Sequence, residues 1–228
     1  LFPYLDQSHF ILDQLKKENK VVGNQFSYLE NTGKFPVYRN TEVVFYKEAS
    51  IGLDAQLEAL SEAKKFIFME YHAIEDRQSF GEIKAILRKK VEEGVEVRLF
   101  YDDVGSIGFI DPKFVQEMEE WGIQCRIFNP IVPMVNLFMN NRDHRKITVV
   151  DGQVGFTGGY NLADEYFNIH SPYGYWKDTG IRLRGEAVGT LTLLFLEMWH
   201  AMDDSPVRGL YNYLPRHWER YNGQGYCL

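Results

Sequence analysis

Residues 140–165 read NNRDHRKITVVDGQVGFTGGYNLADE. An apolar run, Ile147 to Val150, leads into Asp151-Gly152, and a second short run, Val154 to Thr157, follows. Asp-Gly between two such runs is a two-residue hairpin signal, because a tight turn needs residues that accept positive φ. The stretch therefore predicts a strand over 145–150 that turns back as a strand over 153–157. It also sets His144, Lys146 and Asp151 in the spacing H-x-K-x4-D and ends in Thr157-Gly158-Gly159-Tyr160-Asn161.

Outward from this hairpin the chain alternates helix and strand. Val43 to Tyr46 reads as a strand, and Ser50 is placed to cap a helix with Leu53, Leu57 and Leu60 on one face. Lys65 to Tyr71 is a buried strand by its apolar content. A helix over 79–93 carries Ile83, Ile86, Leu87 and Val91 on one face and stops at Gly94. A strand over 95–101, a helix over 113–121 opened by Asp111-Pro112 and stopped at Gly122, and a strand over 123–128 complete three helix-then-strand steps. That rhythm predicts an α/β sheet with both faces covered. Downstream, Trp176 to Gly185 is extended and Glu186 to Met202 is an apolar helix.

The ends are less regular. Leu5 to Lys17 has helical spacing, and 24–40 is rich in turn formers, so 1–40 is expected to be a helix and an irregular lead-in. The catalytic body is expected over 41–204, with 205–228 a tail or the start of a continuation. Residues 130–141 hold Pro130, Pro133 and the apolar run to Met139. Two readings stay open there: a loop folded over the core, or an apolar lip that contacts lipid.

The 228 residues suffice for one large domain or two small ones, and 45% hydrophobic with 25% charged is ordinary for a folded globular chain. A net charge of −7, with no long Lys/Arg run, argues against a nucleic-acid backbone as partner. Cys125 and Cys227 make no ligand spacing, and no disulfide is expected. There is no signal peptide and no run long enough to span a bilayer, so this chain alone is expected to be soluble. It opens on Leu1, which fits a piece of a longer protein.

The chemistry follows from residue types. His144 and Lys146 are two apart and face one way on a strand. A neutral imidazole can attack phosphorus, which splits one hard displacement into two. Lys146 and Asn161 can supply charge and hydrogen bonds to phosphoryl oxygens, with no metal required. Asp151 lies at the far end of the strand and is expected to hold turn and backbone groups. The imidazole needs an orienting carboxylate, for which Asp178 is the first choice and Glu165 the second. Asp102-Asp103 as a Mg2+ pair is weaker than the same pair capping a loop. Gly155 to Gly159 lacks the context of a nucleotide loop, and His170, His200 and His217 show no metal spacing.

The spacing alone would arise by chance in about one or two chains per hundred of this length. The wider text is far more specific. Glu70-Tyr71, Asp102, Gly105-Ser106, Phe128-Asn129-Pro130, Asn141 to Lys146, Phe156 to Asn161, Asp164-Glu165-Tyr166 and Trp176-Lys177-Asp178 resemble the phospholipase D superfamily, and within it the bacterial cardiolipin synthases. The resemblance covers roughly 41–203. It implies a mixed sheet flanked by helices, hence, with the rhythm above, an α/β fold with a mixed, mostly parallel sheet and helices on both faces.

It further implies His144 as the active-site histidine, Lys146 and Asn161 as phosphate contacts, Gly159 at a position often Ser in relatives, Asp151 as largely structural and Asp178 as the orienting carboxylate. No cofactor is implied. The activity implied is phosphatidyl transfer between phospholipids, with phosphatidylglycerol as substrate, at a membrane surface in a bacterial cell membrane. Such enzymes carry two motifs and this chain carries one. It resembles the first catalytic half, completed by a second half or by a homodimer mate. A phosphodiesterase acting on lipid or nucleic acid as a homodimer, and an inactive half-module, are the other readings.

Overall fold

In a computed structural model the chain is described over residues 5–131, 140–202, 209–215, 218, 220–221 and 225–227. The apolar run at 134–139 and His217 lie outside these.

Seven strands form one sheet in the order β1-β7-β6-β5-β2-β3-β4. In chain order they are β1 (Thr41–Tyr46), β2 (Phe66–Tyr71), β3 (Glu96–Asp102), β4 (Gln124–Phe128), β5 (Lys146–Val150), β6 (Val154–Gly158) and β7 (Gly180–Gly185). The helices are α1 (Leu5–Glu18), α2 (Lys20–Gly33), α3 (Ala49–Glu62), α4 (Gln78–Glu92), α5 (Asp103–Ser106), α6 (Phe114–Glu120) and α7 (Val188–Ala201).

The sheet is mixed and covered on both faces. Its parallel share is smaller than expected: β2, β3 and β4 pair in parallel, while β2–β5, β5–β6, β6–β7 and β7–β1 are antiparallel. The helix-strand rhythm accounts only for the parallel third, because α4 and α6 are the crossovers that return the chain in the same direction. The second half arrives by hairpins.

β2 is an interior strand, between β5 and β3, and is buried along its whole length. Its side chains alternate. Ile67, Met69 and Tyr71 enter one core with Leu53, Leu60, Ile83, Leu87 and Met118 from α3, α4 and α6. Phe66 and Phe68 enter the other, with Phe195, Leu196 and Trp199 of α7. Phe68 stacks on Phe195 with centroids 4.6 Å apart and planes 9° apart. A strand buried on both faces reads as a continuous apolar run, as FIFMEY does.

Glycine ends two helices as expected, with Gly94 at φ 86° and Gly122 at φ 85°. The hairpin turn holds Asp151 at φ 53° and Gly152 at φ 67°. Four local expectations need correction. Residues 20–33 form α2 rather than irregular chain, since Asn19 caps it and Phe26 packs on Ile11, Leu12 and Val37. Tertiary burial outweighs the weak propensity there. Ser50 is not the cap of α3: Glu48 takes that position, without a side-chain bond. Strand β5 begins at Lys146, so His144 precedes it, and β7 begins at Gly180, so Asp178 precedes that. Beyond α7, Tyr213 packs on Phe66 and Phe68, and Cys227 bridges to Tyr38, so the described parts of the tail lie on the body.

Candidate active site

The topology brings five strands to one end of the sheet. β2 and β3 deliver their C-terminal ends there. β5 runs the other way and delivers its N-terminal end, with Lys146 opposite Tyr71. The end of β6 and the start of β7 meet beside it, with Gly158 opposite Gly180. The C-terminal end of parallel strands is a common site position in α/β folds.

His144 is exposed at this end. The nearby Lys146 charge, burial and the His72 ring push its proton affinity below the usual histidine value, against Asp143 and Asp102. It therefore presents a neutral imidazole at pH 7. Lys146 is buried, and its Nζ donates to the His144 carbonyl at 2.6 Å. Burial brings its pKa down to about 8, with Asp143, Asp178 and Asp102 opposing. At neutral pH the ammonium persists beside a free imidazole.

Asp151 sits at the other end of β5. Its Oδ1 accepts from the N–H groups of Lys65 at 2.7 Å and Phe66 at 2.9 Å, and its Oδ2 accepts from Lys64 N at 2.8 Å. The geometry is that of a brace on the start of β2. Asn161 is buried, with Oδ1 accepting from Ala73 N at 3.0 Å and Nδ2 donating to the Tyr166 hydroxyl at 2.9 Å. One Nδ2 hydrogen is left over for another acceptor.

Asp178 lies close enough to Lys146 to oppose the loss of its proton. Its Oδ1 accepts from Thr179 N at 2.7 Å and its Oδ2 from Trp176 Nε1 at 3.4 Å. Among the described residues no hydrogen bond joins it to His144. Gly159 lies against this carboxylate, with its own N–H donating to Thr179 O at 3.1 Å, and a Cβ there would strike Asp178. Glu165 lies half-buried in the short 3-10 turn Asp164–Phe167.

Beneath His144 lies a set of groups that the spacing did not reveal. Asp102 is fully buried; its Oδ2 accepts from Asp143 N at 2.9 Å, and its Oδ1 takes Gly105 N and Arg142 Nη1, each at 3.2 Å. Asp103 Oδ2 accepts from Ile131 N at 2.7 Å. The acidic pair thus caps loops. Among the described residues no group of three His, Cys, Asp or Glu is arranged to hold a metal ion.

Arg145 Nε sits 2.6 Å from Glu70 Oε1 and 3.3 Å from Asp143 Oδ1. Burial and Asp143 hold the Glu70 carboxyl well above the usual carboxylate range, with Arg145 partly offsetting them. A carboxyl in the apolar run of β2 is the sequence signal for such a cluster. His72, just past β2, was also missed. Its ring lies 4.9 Å from that of His144, centroid to centroid, at 54°.

Compared with known proteins, residues 57–174 match the family described as cardiolipin synthase, PLD-like domain. A Streptococcus mutans protein described only as uncharacterized is 43% identical over 197 residues, 86% of this chain and 43% of that one. A cardiolipin synthase of Alkalihalophilus pseudofirmus is 38% identical over 189 residues, 82% of this chain and 37% of that one. The chain thus spans about two fifths of the length of these relatives. Among solved structures, NucT from Helicobacter pylori superposes at TM-score 0.54 and 10% identity, over 70% of this chain and 96% of that one. Nuc from Salmonella typhimurium, a phospholipase D family member, superposes at TM-score 0.50 and 17% identity, over 70% and 93%. At such identities these two show the fold.

Proposed function

Because the chain belongs to the cardiolipin synthase family of phospholipase D-like domains, we propose that it supplies one catalytic motif of a phosphatidyl transferase that makes cardiolipin from phosphatidylglycerol at a membrane surface. The observation that carries this reading is the exposed His144 with the buried Lys146 ammonium donating to its carbonyl at 2.6 Å.

In the first step the His144 ring nitrogen forms a bond to phosphorus, the bond from phosphorus to the glycerol headgroup oxygen breaks, and that oxygen takes a proton. In the second, a hydroxyl of another phosphatidylglycerol headgroup attacks the phosphohistidine and gives its proton to the group that protonated the leaving oxygen in the first step, the P–N bond breaks, and His144 is restored. Lys146 and the spare Nδ2 hydrogen of Asn161 serve the phosphoryl oxygens as charge builds. Asp178 supports Lys146 as a cation, and Gly159 leaves room for its carboxylate. Asp151 acts through the fold alone.

One motif per chain leaves the leaving group short of an acid, and the proposed source is a second motif, in the remainder of a longer protein or in a second copy. Incubation with phosphatidylglycerol vesicles, with product analysis by lipid mass spectrometry, separates the outcomes. Cardiolipin and free glycerol in equal amounts, lost in His144→Ala, support transfer. Phosphatidic acid without cardiolipin replaces transfer with hydrolysis.

A further inference from the structure

The reading above uses one imidazole, and the structure holds a second against it. His72 follows β2 directly, with its side chain 21% exposed. Its Nδ1 lies 2.7 Å from the Asp143 carbonyl oxygen. A carbonyl only accepts, so the proton of this imidazole sits on Nδ1. The peptide it grips is the one that leads into His144. On another side the ring meets Gly105, where an added Cβ would lie 2.8 Å from both Cδ2 and Nε2. Gly105 is itself fixed by Asp102, which also holds Asp143 N. The His144 ring closes a further side at 4.9 Å.

We propose that His72 is a positioning residue for His144: its Nδ1–H locks the Asp143–His144 peptide, and its ring bounds the His144 ring. The proposal rests on His144 being the attacking group. It gives the histidine after β2 a role separate from that of the single motif. Ring contact transmits orientation because a packed imidazole has few rotamers open to it. Charge acts in the same direction, since a protonated His72 would repel a protonated His144. The other charged groups facing His144 are Lys146 from β5, Asp143 from the preceding segment and Asp102 from the end of β3. The first adds to the effect of His72 and the two carboxylates oppose it.

The test is histidine NMR on the whole chain without lipid, so its outcome is independent of whether phosphatidyl transfer is the right reaction. In the wild type, the ring nitrogen and carbon shifts should report a proton on His72 Nδ1. A His72 protonated on Nε2 in the neutral form overturns the lock. In His72→Phe, shown to be folded by its far-UV dichroism and cooperative melt, the His144 titration midpoint should rise by about half a unit. An unchanged midpoint in the folded variant overturns the effect on the proton. If the variant does not fold, His72→Gln serves, with the same expectation. In a turnover assay of active protein, His72→Phe should lower kcat about 10-fold with KM held, as expected for misaimed attack. A rise in KM with kcat unchanged would assign His72 to substrate binding instead.

Discussion

Asp151 Oδ1 accepts the backbone N–H of Phe66 at 2.9 Å, which ties the β5–β6 turn to the start of β2. The same carboxylate takes Lys64 N and Lys65 N, so one side chain satisfies three donors at the entry to β2. Asp151→Ala should cost about 2 kcal/mol, since bonds to a charged group are the stronger kind. At this chain length that is a fall of about 6 °C in Tm, read by calorimetry. The folded fraction should keep its His144 chemistry. Loss of chemistry with stability intact would move Asp151 into the reaction.

The pH profile of kcat should be bell-shaped. His144 must be neutral, and its proton affinity is lowered, so the acid limb lies below pH 6.5. Lys146 must be charged, so the rate should fall again through about 8. Guanidinium stays protonated in this range, so any residual activity of Lys146→Arg should lose the alkaline limb. An alkaline limb unmoved in that variant would show that Lys146 is not its source.

Lys146→Met removes both the charge that most lowers the proton affinity of His144 and the donor to its carbonyl. Turnover should drop about 10²–10³-fold, the usual loss for a removed charge-stabilising donor. The His144 midpoint should move up, because Lys146 is the largest cause of its depression. NMR titration reads the second effect with no substrate present.

Phe195→Ala tests the packing that holds the sheet on α7. Phe195 is fully buried, stacked on Phe68 at 4.6 Å and on Trp199 at 5.7 Å. The cost should be about 3–5 kcal/mol in urea unfolding. A cost under about 1 kcal/mol would mean that α7 contributes little to the core.

The elements were legible where the signal is local. FIFMEY announced a strand buried on both faces, Gly94 and Gly122 announced helix ends, and Asp151-Gly152 announced the hairpin. The order of strands was not. β5 pairs with β2 across some 80 residues of chain, and no local pattern records which strand a distant hairpin joins. That is why the parallel share was overestimated. The site divides the same way. His144 and Lys146 stand two apart and could be read from spacing. His72 is 72 residues from His144, and the two rings meet only because β2 and β5 lie side by side. Asp178 was placed by its type and position, yet its oxygens engage Thr179 and Trp176.

The central claim is that His144 becomes covalently bonded to phosphorus. The direct measurement is the mass of the protein after incubation with phosphatidylglycerol vesicles and quenching in alkali, where a phosphohistidine survives, followed by fragmentation of the peptide that holds His144. The account predicts one phosphatidyl group on His144 and none on the His144→Ala protein. Cardiolipin accumulating with no adduct at His144, or an adduct that persists in His144→Ala, would contradict it.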